Sequence, residues 1–273
     1  MRVLVTIPVY NEERYVDRVL DKVRRYADDI LVIDDGSTDQ TPMLLSGQPV
    51  DVIRHAQNRG YGQCMIDAFR WAICYRYDWL ITMDCDEQHE PESLADFYRA
   101  METNSADVVS GSRYLNSFTH DEEADSQPPA DRQAINCILT QLVNQRLGLG
   151  ITDAFCGFKA YRVASLGGLD LHETGYAFPL QFWVHAAAKG LKVTEIPVRL
   201  IYNDPNRSFG GKLDETEHRL RHYLTVFNEE LAQYAPRFGN ACCIECNVES
   251  LMAGIQGGGD QACSHFSTDT PLT

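Results

Sequence analysis

Two carboxylates, Asp84 and Asp86, follow the apolar run at 79–83 and are separated by a single residue. Because side chains alternate with a period of two along an extended segment, both carboxylates would lie on one face. Such oxygen ligands suit a hard divalent cation, Mg²⁺ or Mn²⁺, and Gln88 and His89 follow closely enough to add a ligand. A helix-capping cluster would use the same residue types, so the local pattern leaves both interpretations open.

Two further polar segments could contact a ligand. Segment 34–39 begins with two adjacent carboxylates, Asp34 and Asp35. These could accept hydrogen bonds from the donor groups of a base and a ribose. A turn followed by a helix cap explains them equally. In segment 58–62, Gly60 and Gly62 would let the backbone approach a ligand, and the following helix N-terminus favours an anion. This segment matches neither the dinucleotide-binding fingerprint nor a phosphate-binding P-loop, which disfavours both classes.

Short apolar runs alternate with helical periodicity in the first half of the chain. This alternation predicts an α/β domain with a mostly parallel, Rossmann-like sheet flanked by helices. In such sheets ligands lie at the carboxyl ends of the strands, where the three polar segments fall. The apolar runs are 3–7, 30–33, 50–53, 79–83 and 108–109. Helices are predicted around 15–23, around 66–73 and over 92–101, and Asn11 and Glu12 are positioned to cap the first of them.

The second half has a different pattern. An acidic stretch at 116–129 predicts a loop, and 213–233 predicts a long helix. Between them, 132–147 is an amphipathic helix with one apolar stripe. Segment 132–162 holds four cations against one anion, a net of +3. A stripe beside arginines suits a polyprenyl phosphate, with lipid on the stripe and phosphate near Arg132, and an ordinary core-packing helix is the alternative.

The composition excludes several functions. Across 273 residues the formal net charge is −15, which argues against nucleic-acid binding. No run of about 18 apolar residues occurs, and the first ten residues predict a strand rather than a signal peptide. We therefore expect a cytoplasmic protein with peripheral contact at the inner membrane face. The nine cysteines are expected to be reduced thiols, five of them as small core residues: Cys64, Cys74, Cys85, Cys137 and Cys156.

The last segment, 239–273, is glycine-rich and carries no Lys or Arg. We predict a poorly ordered tail there. Cys243 and Cys246 have a spacing that zinc sites use, but their further partners are irregular, so zinc binding and unstructured thiols both stay open.

Seven sequence blocks, taken in order, resemble family 2 glycosyltransferases with a GT-A fold. Within that family they are most similar to dolichyl-phosphate mannosyltransferases and related polyprenyl-phosphate sugar transferases. The resemblance runs from about Val3 to about Leu224. The blocks are IPVYNEE at 7–13, DDGSTDQT at 34–41, NRGYGQCMIDAF at 58–69, MDCDEQHEPE at 83–92, GSRY at 111–114, DAFCGFKAYR at 153–162 and NRSFGGKLD at 206–214.

The resemblance implies a role for each matching residue. A nucleoside diphosphate sugar would bind in the half 1–114, an acceptor in the half 115–238, and both halves would belong to one domain. Asp86 would be the main metal ligand, with Gln88 and Asp84. The other implied contacts are Pro8, Tyr10, Asn11 and Glu12 around the nucleotide, Asp35 on its base or ribose, Gly60 and Gly62 beside it, and Arg113, Arg132, Arg207 and Lys212 on phosphates.

The resemblance also implies the reaction, which is inverting transfer from a GDP-mannose or UDP-glucose type of donor. Metal at Asp86, with Arg207 and Lys212, would stabilise the diphosphate leaving group. A polyprenyl phosphate acceptor is already ionised and needs no strong base.

For a hydroxyl acceptor, Asp153 is the best base candidate; otherwise it would pair with Arg132 or Arg162, or cap a turn. Three alternatives stay open: a soluble transferase acting on hydroxyl acceptors, a nucleotidyltransferase, and a non-catalytic nucleotide-sugar-binding protein. The acidic neighbours Glu87 and Glu90 of the metal motif keep the last alternative in view.

Overall fold

The structure is a computed structural model of the 273-residue chain. It describes residues 1–85, 89–103, 105–115, 129–199, 201, 211–238, 248–249 and 251–252.

Seven strands of the described residues form one mixed sheet. They are β1 (Val3–Val9), β2 (Asp29–Asp34), β3 (Asp51–Arg54), β4 (Trp79–Thr82), β5 (Val108–Ser112), β6 (Lys159–Arg162) and β7 (Val193–Pro197), in the order β3-β2-β1-β4-β6-β5-β7. Strands β1 to β4 pair in parallel, as do β5 and β7. β6 is antiparallel to both of its neighbours. The predicted mostly parallel sheet is confirmed, with one reversed strand inside it.

Helices cover both faces of this sheet. They are α1 (Val16–Val23), α2 (Thr41–Ser46), α3 (Tyr61–Cys74), α4 (Leu94–Thr103), α5 (Ala130–Leu147), α6 (Val163–Leu166), α7 (Phe178–Lys189), α8 (Thr216–Gln233) and α9 (Ala235–Phe238). α3, α5, α7 and α8 share one apolar core around Phe182 and Trp183. α1 and α4 share another around Leu20 and Phe97. Because strands between two such layers are buried on both faces, β1 and β2 are apolar almost throughout.

Several element boundaries differ from the predicted ones. α1 begins only at Val16, with Tyr15 as its N-cap, so Asn11 and Glu12 do not cap it. The long C-terminal helix begins at Thr216, after a 3-10 turn at Gly211–Asp214. The sequence pattern had assigned no strand to β6 or β7.

Two expectations about the cysteines are wrong. Cys137 is disulfide-bonded, whereas Cys64, Cys74, Cys85 and Cys156 carry free thiols. Cys74 is exposed rather than part of the core.

The predicted tail is only partly covered by the described residues, which exclude Cys243 and Cys246. Val248, Leu251 and Met252 are described, and their side chains pack against the core that contains α7 and α8. These three side chains therefore contribute to the core, and poor order in the rest of the segment stays a prediction. Among the described residues, no helix has the length and apolarity that crossing a bilayer requires.

Candidate functional site

Sheet register brings separate stretches of the chain to one edge. Since β6 runs against both β4 and β5, Lys159 at its start lies opposite Thr82 and opposite Ser110. The turn that precedes β6 therefore meets the segments that follow β4 and β5. Those segments carry Asp84 and Arg113, at the carboxyl ends where such sheets bind ligands.

Hydrogen bonds from side chains join the loop after β1 to the loop after β2. Asn11 Oδ1 accepts the backbone N–H of Thr38 at 2.8 Å, and Ser37 Oγ accepts the N–H of Asn11 at 2.9 Å. Thr41 Oγ1 accepts the N–H of Glu12 at 2.9 Å. Asn11 reaches this position with a φ of 57°, a conformation that asparagine tolerates better than most residues. The two loops are thus fixed to each other by the protein's own hydrogen bonds.

The predicted nucleotide contacts lie along this joined pair of loops. Pro8 is paired opposite Ile33 in the register of β1 and β2, and Tyr10 is 46% exposed. A nucleotide contact by Pro8, Tyr10, Asn11 or Glu12 stays a prediction.

Asp35 organises the chain around it. Its Oδ1 lies 2.6 Å from His55 Nδ1 and accepts the N–H of Arg59 at 2.8 Å, while Oδ2 accepts the N–H of Gly60 at 2.8 Å. The residue is buried. Its carboxylate therefore holds the glycine turn 58–62, and its contact with a base or ribose stays a prediction.

The two glycines of this turn are required by the protein's own backbone. A Cβ on Gly60 would lie 2.3 Å from the carbonyl oxygen of Thr174, and a Cβ on Gly62 would lie 2.1 Å from that of Glu173. Gly60 also has a φ of 97°. The expectation that these glycines admit a ligand is corrected: the loop 172–175 occupies the space that a Cβ would need.

Asp84 is the partly exposed carboxylate at the end of β4. Its side chain is 32% exposed, and its oxygens accept no hydrogen bond from the described residues. They lie directly over Gly157, where a Cβ would stand 2.7 Å from Oδ2. His89 Nδ1 accepts the N–H of Asp84 at 3.0 Å, which commits that nitrogen to the turn rather than to a metal. A partly exposed carboxylate that accepts no hydrogen bond from the described part of the chain fits a hard divalent cation.

Arg113 is held by a bidentate ion pair. Its Nε and Nη2 donate to Asp153 Oδ2 and Oδ1 at 2.6 and 2.9 Å. Asp153 is completely buried, whereas the Arg113 side chain is 22% exposed. Glu195 accepts the N–H groups of Thr152 and Asp153 at 2.8 and 3.2 Å and so fixes the carboxylate's backbone. Within the described residues, Arg113 Nη1 has no hydrogen-bond acceptor, which leaves it able to contact an anion.

The structure contradicts a base role for Asp153. Besides Arg113, its Oδ1 accepts hydrogen bonds from Asn136 Nδ2 and from the N–H groups of Phe155 and Cys156, each at 3.1 Å. Burial alone would raise the pKa of Asp153, but the charge and hydrogen bonds of Arg113 outweigh it and hold that pKa far below its usual range. The expected partners Arg132 and Arg162 are also wrong, since the partner is Arg113.

The positive charge of segment 132–162 is not one surface patch. Lys159 is buried, donates to the carbonyl of Cys156 and lies 5.4 Å from the ring centroid of Trp183. Burial lowers its pKa. Arg162 donates to the carbonyl of Ala106 instead. The net charge of +3 therefore does not describe a lipid-phosphate surface.

The apolar stripe of α5 is part of the protein core. Ile135, Ile138, Leu139 and Val143 are all buried in the cluster shared with α7 and α8. The expectation that a lipid lies along this stripe is wrong, and the core-packing alternative is correct. Arg132, in the first turn of α5, is half-buried, and its phosphate contact stays a prediction.

An ion pair fixes the segment that carries Lys212 against α5. Arg219 is buried and donates to Asp131 Oδ2 at 2.7 Å and to the carbonyl of Leu213 at 2.9 Å. Lys212 is exposed beside it, and its contact with a diphosphate stays a prediction. The other predicted residues, Asp86, Gln88 and Arg207, lie outside the described residues.

Of the described residues, Asp35, His55 and Cys64 form one cluster of metal-type donors within 4.8 Å of one another. Asp35 is already bound to His55 and to the glycine turn. Burial raises the pKa of Cys64 well above its usual value, which keeps the thiol protonated. This cluster therefore does not suit a metal in the way that Asp84 does.

The sequence analysis missed three residues that shape the site: His55, Glu195 and Gln181. Gln181 had a detectable signal, because it is an amide within the apolar run 178–188. A polar residue in such a run is buried and must find partners. His55 and Glu195 had no such signal in the sequence. His55 follows the short strand β3 and Glu195 lies in the short strand β7, where polar residues are common.

The chain is similar to known proteins over most of its length. The family model described as Glycosyl transferase family 2 matches residues 4–169. An undecaprenyl-phosphate mannosyltransferase of Micrococcus luteus is 31% identical over 218 residues, which span 76% of this chain and 87% of that protein. A polyprenol monophosphomannose synthase of Mycolicibacterium smegmatis is 31% identical over 208 residues, or 72% of this chain and 76% of that protein.

A solved structure shares the fold. Glucosyl-3-phosphoglycerate synthase from Mycobacterium tuberculosis, in complex with Mn²⁺, uridine diphosphate and glucosyl-3-phosphoglycerate, superposes with a TM-score of 0.63 at 18% identity. The superposition covers 84% of this chain and 79% of that one.

Proposed function

Because this chain belongs to glycosyl transferase family 2 and is a glycosyltransferase, we propose that it transfers a hexose from a nucleoside diphosphate sugar to a polyprenyl phosphate. The proposed donor is of the GDP-mannose or UDP-glucose type, and the transfer inverts the anomeric carbon. The names of the two relatives, both of which carry a polyprenol or its phosphate, support the choice of acceptor.

The donor would bind in the half 1–114, along the joined loops after β1 and β2. The proposal includes a divalent cation with Asp86 as its main ligand and with Asp84 and Gln88 as further ligands. The 32% exposed carboxylate of Asp84, without a donor among the described residues, supports it. The Mn²⁺ and uridine diphosphate bound by the solved relative agree with it. The cation would neutralise charge on the leaving diphosphate.

The observation that carries the acceptor class is the Arg113–Asp153 pair. Asp153 cannot take a proton from a hydroxyl, since its oxygens accept six hydrogen bonds and Arg113 depresses its pKa. A phosphate acceptor is already an anion near neutral pH and needs a positioned cation instead. Arg113, at the end of the half 1–114, is anchored on Asp153 of the half 115–238 and lies at the same sheet edge as Asp84, where it would supply that cation.

Paired acceptors test this proposal. The protein would be incubated with labelled GDP-mannose or UDP-glucose and Mn²⁺, with either undecaprenyl phosphate or undecaprenol in detergent. These lipids differ only in the phosphate. We expect lipid-linked sugar from the phosphate alone, lost on chelation, with an inverted anomeric configuration by NMR. Transfer to undecaprenol or to soluble sugars at a comparable rate would refute the phosphate acceptor.

A matched pair of variants tests the cation. Arg113→Lys keeps the charge but not the bidentate geometry, and it should lower transfer to undecaprenyl phosphate at least about tenfold. Arg162→Lys is the matched control, because Arg162 donates to the backbone carbonyl of Ala106. Its rate of transfer to undecaprenyl phosphate should stay within about twofold of the parent. Equal effects of the two variants would remove Arg113 from the acceptor site.

A further inference from the structure

A buried polar network joins α7 to α8. Gln181 is 0% exposed, and its Nε2 donates to Glu230 Oε1 at 2.7 Å. Glu230 Oε2 lies 3.0 Å from His185 Nε2, and Tyr234 Oη lies 3.1 Å from His185 Nδ1. Burial would raise the pKa of Glu230, but hydrogen bonds from His185 and Gln181 lower it, so the buried carboxylate stays ionised.

The other end of the Gln181 amide holds a loop. Its Oε1 accepts the backbone N–H groups of both His172 and Glu173 at 2.8 Å. A single side-chain oxygen thus fixes two successive peptide units of the loop 172–175. Because Gln181 Nε2 is anchored on Glu230, this oxygen has a defined position.

That loop packs backbone to backbone against the glycine turn. The carbonyls of Glu173 and Thr174 fill the space where a Cβ on Gly62 or Gly60 would stand. Thr174 also accepts the N–H of Gln63, in the first turn of α3, at 3.2 Å. No flexible side chain intervenes, so a small shift of the loop displaces the turn.

We propose that Gln181 is a positioning residue for the donor nucleotide, acting through loop 172–175 on the glycine turn 58–62. The proposal rests on the proposed function, in which the donor binds along the loops after β1 and β2, because Asp35 in the loop after β2 holds the turn 58–62 beside that site. Asp35 holds the turn from the β2 side, and the loop holds it from the α7 side. Gln181 determines where the second contact lies, although it is too deeply buried to touch a substrate itself.

The alternative is that the network only packs α7 on α8. The two roles differ in what they do to ligand binding by the folded protein. A packing role lowers the melting temperature and leaves nucleotide affinity unchanged. A positioning role weakens nucleotide affinity at temperatures where the protein is fully folded, and it leaves the acceptor KM unchanged.

The experiment compares Gln181→Met with Tyr234→Phe, a variant at the opposite end of the same network. Binding of UDP and of GDP, each with Mn²⁺, would be measured by calorimetry well below the melting temperature, together with amide hydrogen exchange. We expect Gln181→Met to weaken nucleotide binding about 5- to 20-fold and to speed exchange at 59–63. Tyr234→Phe should change neither by more than about twofold. Parental affinity and exchange in folded Gln181→Met would overturn the proposal.

Two further variants cover the case in which Gln181→Met does not fold. Gln181→Asn shortens the amide by one methylene and should show the same two changes more weakly. Gln181→Glu loses the N–H that anchors the side chain on Glu230 and places a second carboxylate against it, so it should weaken nucleotide binding at least as much as Gln181→Asn. Parental affinity in folded Gln181→Asn or folded Gln181→Glu would overturn the proposal.

The parent protein separates this inference from the proposed function. Should the parent bind neither nucleotide, the proposed function fails. Exchange at 59–63 would still report whether Gln181 controls the turn.

Discussion

Gly157 and Asp84 are in direct contact across the sheet edge: a Cβ on Gly157 would lie 2.7 Å from Asp84 Oδ2 and 2.9 Å from Oδ1. The contact exists because β6 runs against β4, which brings the turn before β6 under the end of β4. A glycine at this position lets the carboxylate lie over the backbone and sets where its oxygens are.

The first prediction follows from this contact. Gly157→Ala should push the Asp84 carboxylate aside and weaken Mn²⁺ binding in the presence of nucleoside diphosphate about tenfold or more. The fold should survive, because a partly exposed side chain can move. Gly167→Ala is the matched control, since a Cβ there would meet no atom within 4 Å. Calorimetric Mn²⁺ titration of both variants measures the effect, and unchanged affinity in Gly157→Ala would place the metal away from Asp84.

The second prediction concerns acid stability and Asp153. The folded pKa of this carboxyl lies far below its ordinary value, so the unfolded chain binds more protons as the pH falls. The stabilisation is fully present above about pH 4 and is lost progressively as the pH falls from there toward the folded pKa. The free energy of unfolding, measured by urea titration from pH 6 to pH 2.5, should show this loss.

Asp153→Asn should remove that dependence. Leaving the Arg113 guanidinium without its buried partner should cost about 3–5 kcal/mol at pH 6. Asp96→Asn breaks an exposed ion pair with Arg99 and serves as the control, with a change of about 1 kcal/mol or less. A parental slope below pH 4 in Asp153→Asn would mean that other carboxyls dominate acid unfolding.

The sequence predicted the sheet and its ligand-binding edge because the apolar runs of β1, β2 and β4 are long enough to indicate strands. The predicted GT-A fold is confirmed. It did not predict β6, a four-residue strand with a cation at each end. Without β6, the sequence could not show that Asp153 meets Arg113, 40 residues earlier. Lacking that pairing, it made Asp153 a base candidate.

The error at α5 has a different physical cause. A stripe that faces a core and a stripe that faces a lipid have the same helical period. Only the packing of α7 and α8 against Leu139 and Val143 distinguishes them. Likewise, a glycine needed by a ligand and one needed by a neighbouring loop look identical in sequence, and Gly62 is of the second kind.

The third prediction concerns the C-terminal segment. The packing of Val248, Leu251 and Met252 on the core implies that deleting residues after Phe238 lowers stability, by about 1–3 kcal/mol for these partly buried side chains. Leu251→Ser should reproduce part of this loss, whereas Glu249→Ser, at an exposed position, should not. Urea unfolding of the three variants measures it. Parental stability in the deletion variant would show that these contacts contribute nothing.

The last prediction concerns Arg132, whose role no longer depends on the α5 stripe. Arg132 lies in the first turn of α5, and its positive charge acts on Tyr223 of α8, in the half proposed to bind the acceptor. A charge-assisted hydrogen bond from Arg132 to the acceptor phosphate would contribute about 1.5–3 kcal/mol. Arg132→Ala should therefore lower kcat/KM for undecaprenyl phosphate about 10- to 100-fold.

Arg146→Ala, in the last turn of the same helix, is the control and should change this kcat/KM less than about threefold. Donor affinity and donor hydrolysis by water should be parental in both variants, because the donor is bound by the other half. Equal losses of transfer and of donor affinity in Arg132→Ala would instead place Arg132 on the leaving diphosphate.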